Sequence, residues 1–305
     1  MSRIGLDSLD GIETGRYDTD LTAGRNGLRS AIATGYSSLP GIAIVGVGII
    51  VVIGLFCFLG PVLYHTDQVN SQVLQINESP SGSHLLGTDD NGFDVLGRLM
   101  VGGQSALEIG FAAALLATGL GVVWGTVAGL LGGIVDAILM RLVDSLLALP
   151  ALFLLLFLAA VLSPSTSTMI IVIAIVAWLV PARLVRAETL TLRVREYVDA
   201  VRCMGGSNWR IGIVHIIPNA VGTIIVNATF QVADAVLLLA GLSFLGLGLP
   251  LPAVNWGGML TQGLNYLQAG YWWVVYPAGL CIVVTVLAFS MVGEGLRRLF
   301  ERRDY

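Results

Sequence analysis

Six stretches of this sequence, Gly41 to Leu63, Ala106 to Leu131, Ile138 to Leu162, Met169 to Arg186, Val221 to Leu245 and Val274 to Val292, are long and apolar enough to cross a bilayer. A helix needs about 20 such residues to traverse a hydrocarbon core of roughly 30 Å. Inside that core every backbone N–H and C=O must be satisfied by the protein itself, which leaves helices and closed barrels. Barrels carry alternating segments of about 10 residues, not unbroken apolar runs. The expected fold is an all-α membrane protein with six transmembrane helices. A composition 55% hydrophobic and only 12% charged agrees with that reading.

Charge then orients the chain, because short external loops are poor in basic residues. All sixteen basic residues are arginine, and with the N-terminus inside only Arg98 falls outside. Both termini and the 187–220 segment are therefore expected in the cytoplasm. The organisation that follows is a cytoplasmic tail over 1–39, a first membrane helix over 40–64 and an extracytoplasmic loop over 65–104. A membrane core over 105–293 and a cytoplasmic tail over 294–305 complete it. The N-terminal tail, rich in Gly, Ser, Thr and Asp without a sustained period, reads as mostly disordered. A polar lead of that length exceeds a signal peptide's n-region, so the first span reads as retained.

Several function classes drop out. A Walker A loop and a Schiff-base enzyme both need a lysine, and this sequence has none. Cys57, Cys203 and Cys281 fall where disulfides do not readily form. His65, His84 and His215 lack the paired spacing of a metal site. The acidic external loop, with Asp67, Glu78, Asp89, Asp90 and Asp94, includes a GTDDNGF block that resembles a calcium loop but has no closing glutamate. Arg141 is placed to pair with Asp136 or Asp144, and Trp256, Trp272, Trp273 and Tyr276 read as an interfacial aromatic belt.

One polar, arginine-rich interruption, Arg195 to Ala220, separates two apolar stretches. It contains no Gly or Pro up to Met204. Gly205 and Gly206 then offer a helix stop, and Ser207 a cap for a second helix. Trp209, Ile213 and Ile216 would form that helix's apolar stripe, and Pro218 fits the first turn of the next span. Asp199 is flanked by Arg195 and Arg202, which permits an intrahelical ion pair or an intermolecular one. A helix, glycine turn, helix element of this size suits docking into a partner's groove.

The same interruption resembles the cytoplasmic loop of ABC importer permeases, whose motif reads E-A-A, three residues, Gly, nine residues, I-x-L-P. Here those positions hold Asp199, Ala200, Val201, Gly205, His215, Ile217 and Pro218. Further blocks resemble the dipeptide, oligopeptide and nickel branch: HLLGTDDNGFDVLGRL from His84, GGIVDAILMRLVDSLLALP from Gly132, ARLVRAETLTLRVREYVDA from Ala182 and LSFLGLGLP from Leu242. The resemblance implies a type I ABC importer permease fold in a prokaryotic inner or plasma membrane. It also implies a second, homologous permease subunit, two cytoplasmic ATPases that hold ATP and Mg, and an extracytoplasmic solute-binding protein. Peptide would be the substrate, and no nucleic acid would be involved. Arg195, Tyr197, Asp199, Ala200, Arg202, Gly205, Gly206, Trp209, His215 and Pro218 would make the ATPase-coupling loop. The chain itself would bind no cofactor and catalyse nothing.

Within the fifth apolar stretch, Thr223, Asn227, Gln231 and Asp234 recur every three or four residues and share one helix face. Polar groups at membrane depth line a path or bind neighbouring helices together, and both readings apply here. The resembled family usually has a glutamate where this chain has Leu239, so Asp234 is a candidate replacement. The same architecture could import nickel chelate, glutathione or another solute. A stand-alone proton-coupled transporter using Asp234 is the reading from a different class.

Overall fold

The computed structural model describes residues 41–64, 75–250 and 252–301. The expectations for the N-terminal tail, for His65 and Asp67, and for Arg302 and Arg303 fall outside them. Twelve helices account for most of the described chain. They are α1 Gly41–Phe58, α2 Gly60–Leu63, α3 Val95–Leu131, α4 Gly133–Leu147, α5 Ala151–Val161, α6 Thr166–Ala177, α7 Leu179–Leu192, α8 Glu196–Cys203, α9 Asn208–Arg210, α10 Ile217–Phe244, α11 Trp256–Leu267 and α12 Trp272–Glu301, with a π-helical turn Ile211–Ile216 between α9 and α10. Four spans pass as single helices: α1 with α2, α3, α9 through α10, and α12. Two more exist only as bent pairs.

Those bends correct the sequence expectation. The stretch read as one span over 138–162 is α4 and α5, set at 86° to each other. Pro150 is the cause: it lacks a donor, disfavours helical backbone at Leu149, and stands as the N-cap of α5. The next span, α6 and α7, bends by 44° at Trp178. Here Pro181 cannot donate to the carbonyl four residues back, that of Ala177, and Gln231 of α10 supplies the missing donor from its side-chain amide at 2.7 Å. A buried glutamine thus repairs a proline-broken ladder from the neighbouring helix.

Helix α3 is the central element, packing against α1, α4, α6, α7 and α10. It begins at Val95, eleven residues before the expected boundary at Ala106, because Asp94 caps it: the carboxylate accepts from the Gly97 amide at 2.7 Å. Its close approach to α7 rests on Gly121, Gly125 and Gly129, a spacing of four that puts all three on one face. A Cβ on Gly125 would stand 2.5 Å from the Ala182 carbonyl oxygen and 2.8 Å from the Arg186 amide. Backbone atoms cannot yield as a side-chain tip can. Gly125→Leu should therefore cost about 1–3 kcal/mol or more by overpacking. The check is the monodisperse fraction and melting temperature of the detergent-solubilised protein, both of which should fall.

At the end where α3 starts, residues 75–94 fold into a cap. The Thr88 amide donates to the Glu78 carbonyl, the Thr88 hydroxyl accepts from the Glu78 amide and donates to the Gln75 carbonyl, and the Trp273 indole donates to the Thr88 carbonyl. His84 Nδ1 lies 2.9 Å from Asp94 Oδ2, which also accepts from the Tyr64 hydroxyl. Beneath the cap, Trp256 is 1% exposed and its indole N–H donates to the Leu99 carbonyl at 2.8 Å. Trp256 and Trp273 are therefore core residues and not members of an interfacial belt, whereas Trp272 and Tyr276 remain exposed. Helix α11 was not expected at all. Its N-cap Asn255, which accepts from the Gly258 amide, was the available signal.

Candidate functional site

The segment between α7 and α10 forms a hairpin at the end of the bundle opposite the cap. Helix α8 closes in a Schellman motif: the Gly205 amide donates to the Arg202 carbonyl and the Gly206 amide to the Val201 carbonyl, both at 2.9 Å. Gly205 takes φ +81°, the left-handed backbone that the motif requires. Ser207 then caps the return, its hydroxyl accepting from the Arg210 amide at 3.3 Å.

The return limb departs from the expected stripe. Its π-helical turn places Ile211 and Ile216, five residues apart, on the inner face. They pack with Val198 against Leu130, Leu192 and Val201. Trp209, expected on one stripe with Ile213 and Ile216, is 72% exposed, and Ile213 is exposed beside Val214. With Met204, 78% exposed, these side chains give the hairpin an apolar outer face. Sequence reading did not single out Met204 or Val214. Their signal was an apolar residue in a polar loop without a buried partner. Tyr197, Asp199, Ala200, Arg202, Arg195 and Pro218 are also exposed, and His215 is half-buried.

Polar bonds fix the hairpin to the bundle. Arg193 donates to the Gly129 carbonyl in the last turn of α3 at 2.7 Å, where a cation also meets the negative end of the helix. Arg202 donates to the Arg193 carbonyl at 3.1 Å and to Asp199 at 2.9 Å. The Asp199 pair is thus intrahelical and goes to Arg202, not Arg195. Nearby, Asp136 pairs with Arg186 and Asp144 with Arg183, both at 2.5 Å, tying α4 to α7. This corrects the expectation for Arg141, which is exposed and bonds to neither aspartate.

Two cavities bear on the expected polar stripe of α10. One of about 1240 Å³ opens beside the hairpin, lined by Glu188, Arg195, Tyr197, Asn219, Thr223 and Phe300. The other, about 480 Å³, sits at the α4–α5 break between Leu147, Pro150, Val180, Gln231, Asp234 and Leu238. The expected polar stripe is therefore divided. Thr223 lines the first cavity, Gln231 and Asp234 the second, and Asn227 lines neither, its Oδ1 buried without a partner among the described residues. Gln231 serves the α6–α7 joint, whereas Asp234 is exposed on the wall.

Residues 121–303 match the family described as the binding-protein-dependent transport system inner membrane component. The chain is 40% identical over 256 residues to the oligopeptide transport system permease protein OppC of Bacillus subtilis (strain 168), covering 84% of each. It is 37% identical over 256 residues to the dipeptide transport system permease protein DppC of Alkalihalophilus pseudofirmus, again covering 84% of each chain. A putative peptide permease of Brucella suis is 39% identical over 233 residues, 76% of this chain and 77% of the relative.

Proposed function

Because the chain belongs to the family of binding-protein-dependent transport inner membrane components, we propose that it forms one half of the path of an ATP-driven importer of di- and oligopeptides. The permeases it resembles along most of its length are named for peptide transport. The single observation that carries the coupling role is the hairpin: an outer face of Met204, Trp209, Ile213 and Val214, exposed at the end of the bundle and braced from behind. An apolar patch with an aromatic anchor and a polar rim is what a protein groove receives.

In this reading the hairpin end lies in the cytoplasm, as the arginines favour, and docks on one of two ATPases that bind ATP and Mg. A second permease subunit completes the path, and an extracytoplasmic solute-binding protein delivers peptide at the cap. Both termini are cytoplasmic. Nucleotide state favours one permease conformation by acting on the hairpin, and Arg193 and Arg202 carry that bias to the end of α3. Chemistry stays with the ATPases. The cavity at the α4–α5 break is the path's narrow part, where Asp234 attracts the peptide's ammonium group.

The test is affinity purification of the tagged chain from native membranes, followed by ATP-driven peptide uptake in proteoliposomes. Recovery with a homologous permease and ATPases, and uptake that needs ATP, are expected. Recovery of the chain alone, active on a proton gradient, would replace this reading with the proton-coupled one. Asp234→Asn should lower uptake of a free-amine peptide about tenfold, an effect of about 1.4 kcal/mol. An N-acetylated peptide should be unaffected, and equal loss for both would remove Asp234 from substrate contact.

A further inference from the structure

Among the described residues, Arg98 is the one arginine at the cap end, and Asp89, its ion-pair partner, leaves part of its hydrogen-bonding capacity unused. It is 2% exposed, with Nη1 3.4 Å from Asp89 Oδ2 and its guanidinium 4.6 Å from the Phe93 ring centroid. An arginine placed only to neutralise Asp89 would close to about 2.7–2.9 Å. Instead Nε and Nη1 both lack a hydrogen-bond acceptor. Donors buried in this way are costly unless something receives them.

Arg98 lines a cavity of about 290 Å³ bounded by the α10–α11 connection and the first turns of α11. Ser243, 3% exposed, also lines it, and its hydroxyl is buried without a partner. Asn255, Gly258, Thr261 and Gln262 put the opening of α11 on the same wall. That is the positive end of a twelve-residue helix, where Asn255 takes the Gly258 amide on its side chain and the Met259 amide on its carbonyl. No acidic side chain of the described residues lines the cavity. A buried arginine with unused donors, a serine whose hydroxyl has no partner and the start of a helix therefore border one space.

We propose that this cavity is a carboxylate-binding subsite, in which Arg98 and Ser243 receive the C-terminal carboxylate of an incoming peptide at the mouth of the path. That a peptide bears the carboxylate rests on the proposed function; the preference for a carboxylate rests on the cavity. Arg98 supplies the charge, Ser243 a donor, and the N-terminus of α11 a favourable field. The site lies opposite the hairpin and is separate from the Asp234 cavity. The two would read the two charged ends of one substrate type.

The experiment uses the membrane complex, purified without its solute-binding protein and held in lipid nanodiscs, with labelled glycylglycine, its C-terminal amide and acetate as probes. Glycylglycine should bind, the amide at least about tenfold more weakly, and acetate should compete with glycylglycine. Ser243→Ala removes a hydroxyl that bonds to nothing, so the fold is kept. It should weaken glycylglycine about fivefold to tenfold and leave the amide unchanged, and Gln262→Leu should act in the same direction. Equal affinity for acid and amide, or glycylglycine binding indifferent to both variants, would overturn the proposal and leave a water-filled cavity. Uptake separates the two readings. Acid-selective binding without peptide uptake would retain the subsite and end the peptide reading. Uptake equally fast for acid and amide, and in Ser243→Ala, would do the reverse.

Discussion

Gly206→Val should abolish ATP-driven uptake, by about fiftyfold or more, while the protein still inserts and accumulates in the membrane. A Cβ at residue 206 would stand 2.5 Å from Val201 Cγ1 and 2.9 Å from the Val201 carbonyl oxygen, which already accepts the Gly206 amide. A valine there breaks the Schellman closure and turns α8 away from the return limb. The Val198, Ile211 and Ile216 contact then opens, and the Trp209 face no longer meets a partner in register. Gly205→Ala should be much milder. Its Cβ would meet open space, so the penalty is the left-handed backbone alone, about 1–2 kcal/mol. Uptake should fall a few-fold, and Gly205→Val should lie between the two. Measuring ATP hydrolysis and uptake in the same proteoliposomes separates the cases, because Gly206→Val should lose peptide stimulation of the ATPase as well. A Gly206→Val protein with normal uptake would show that the hairpin tolerates opening.

The sequence motif had pointed to Gly205, and its left-handed φ is what such a motif selects. Gly206 carries the tighter packing, and nothing in the linear pattern distinguishes a glycine kept for its backbone from one kept for a missing Cβ. Legibility followed the same division elsewhere. Hydropathy located six apolar stretches because lipid imposes length and composition on every span alike. It could not show that Pro150 would turn α5 by 86°, or that Gln231 would repair the ladder at Pro181, since those depend on which helix lies alongside. The stripe of Thr223, Asn227, Gln231 and Asp234 was read as one surface from its spacing. Tertiary packing divided it between two cavities and a structural bond. Likewise Trp256 was aromatic near a span end, which suits an interface, until α3 proved to start at Val95 and cover it. The stripe of Trp209, Ile213 and Ile216 was divided for a local reason: the limb is π-helical, so the buried Ile211 and Ile216 stand five positions apart and not three or four.

Arg98→Met should destabilise the protein by about 3–5 kcal/mol, because the Asp89 carboxylate would remain buried without its cation. Asp89 is 4% exposed, and its Oδ1 accepts from the Asn91 and Phe93 amides, so it cannot swing out to solvent. Burial already pushes its carboxyl above the ordinary carboxylate range, against the amides and Arg98, which lower it. Removing Arg98 raises it further. A group raised on folding contributes stability that is full below its unfolded value, near 3.9, and is lost as pH rises through the folded value. The Arg98→Met deficit should therefore be largest at alkaline pH and shrink as pH falls through the folded value, with the melting temperature of the solubilised protein as readout. Asp89→Asn added to Arg98→Met should restore more than half of the loss. The amide oxygen still accepts from Asn91 and Phe93, and the uncompensated charge is gone. If the double variant melts no higher than Arg98→Met, packing of the guanidinium against Phe93 and the cap is what holds this end together, and the ion pair is incidental to it.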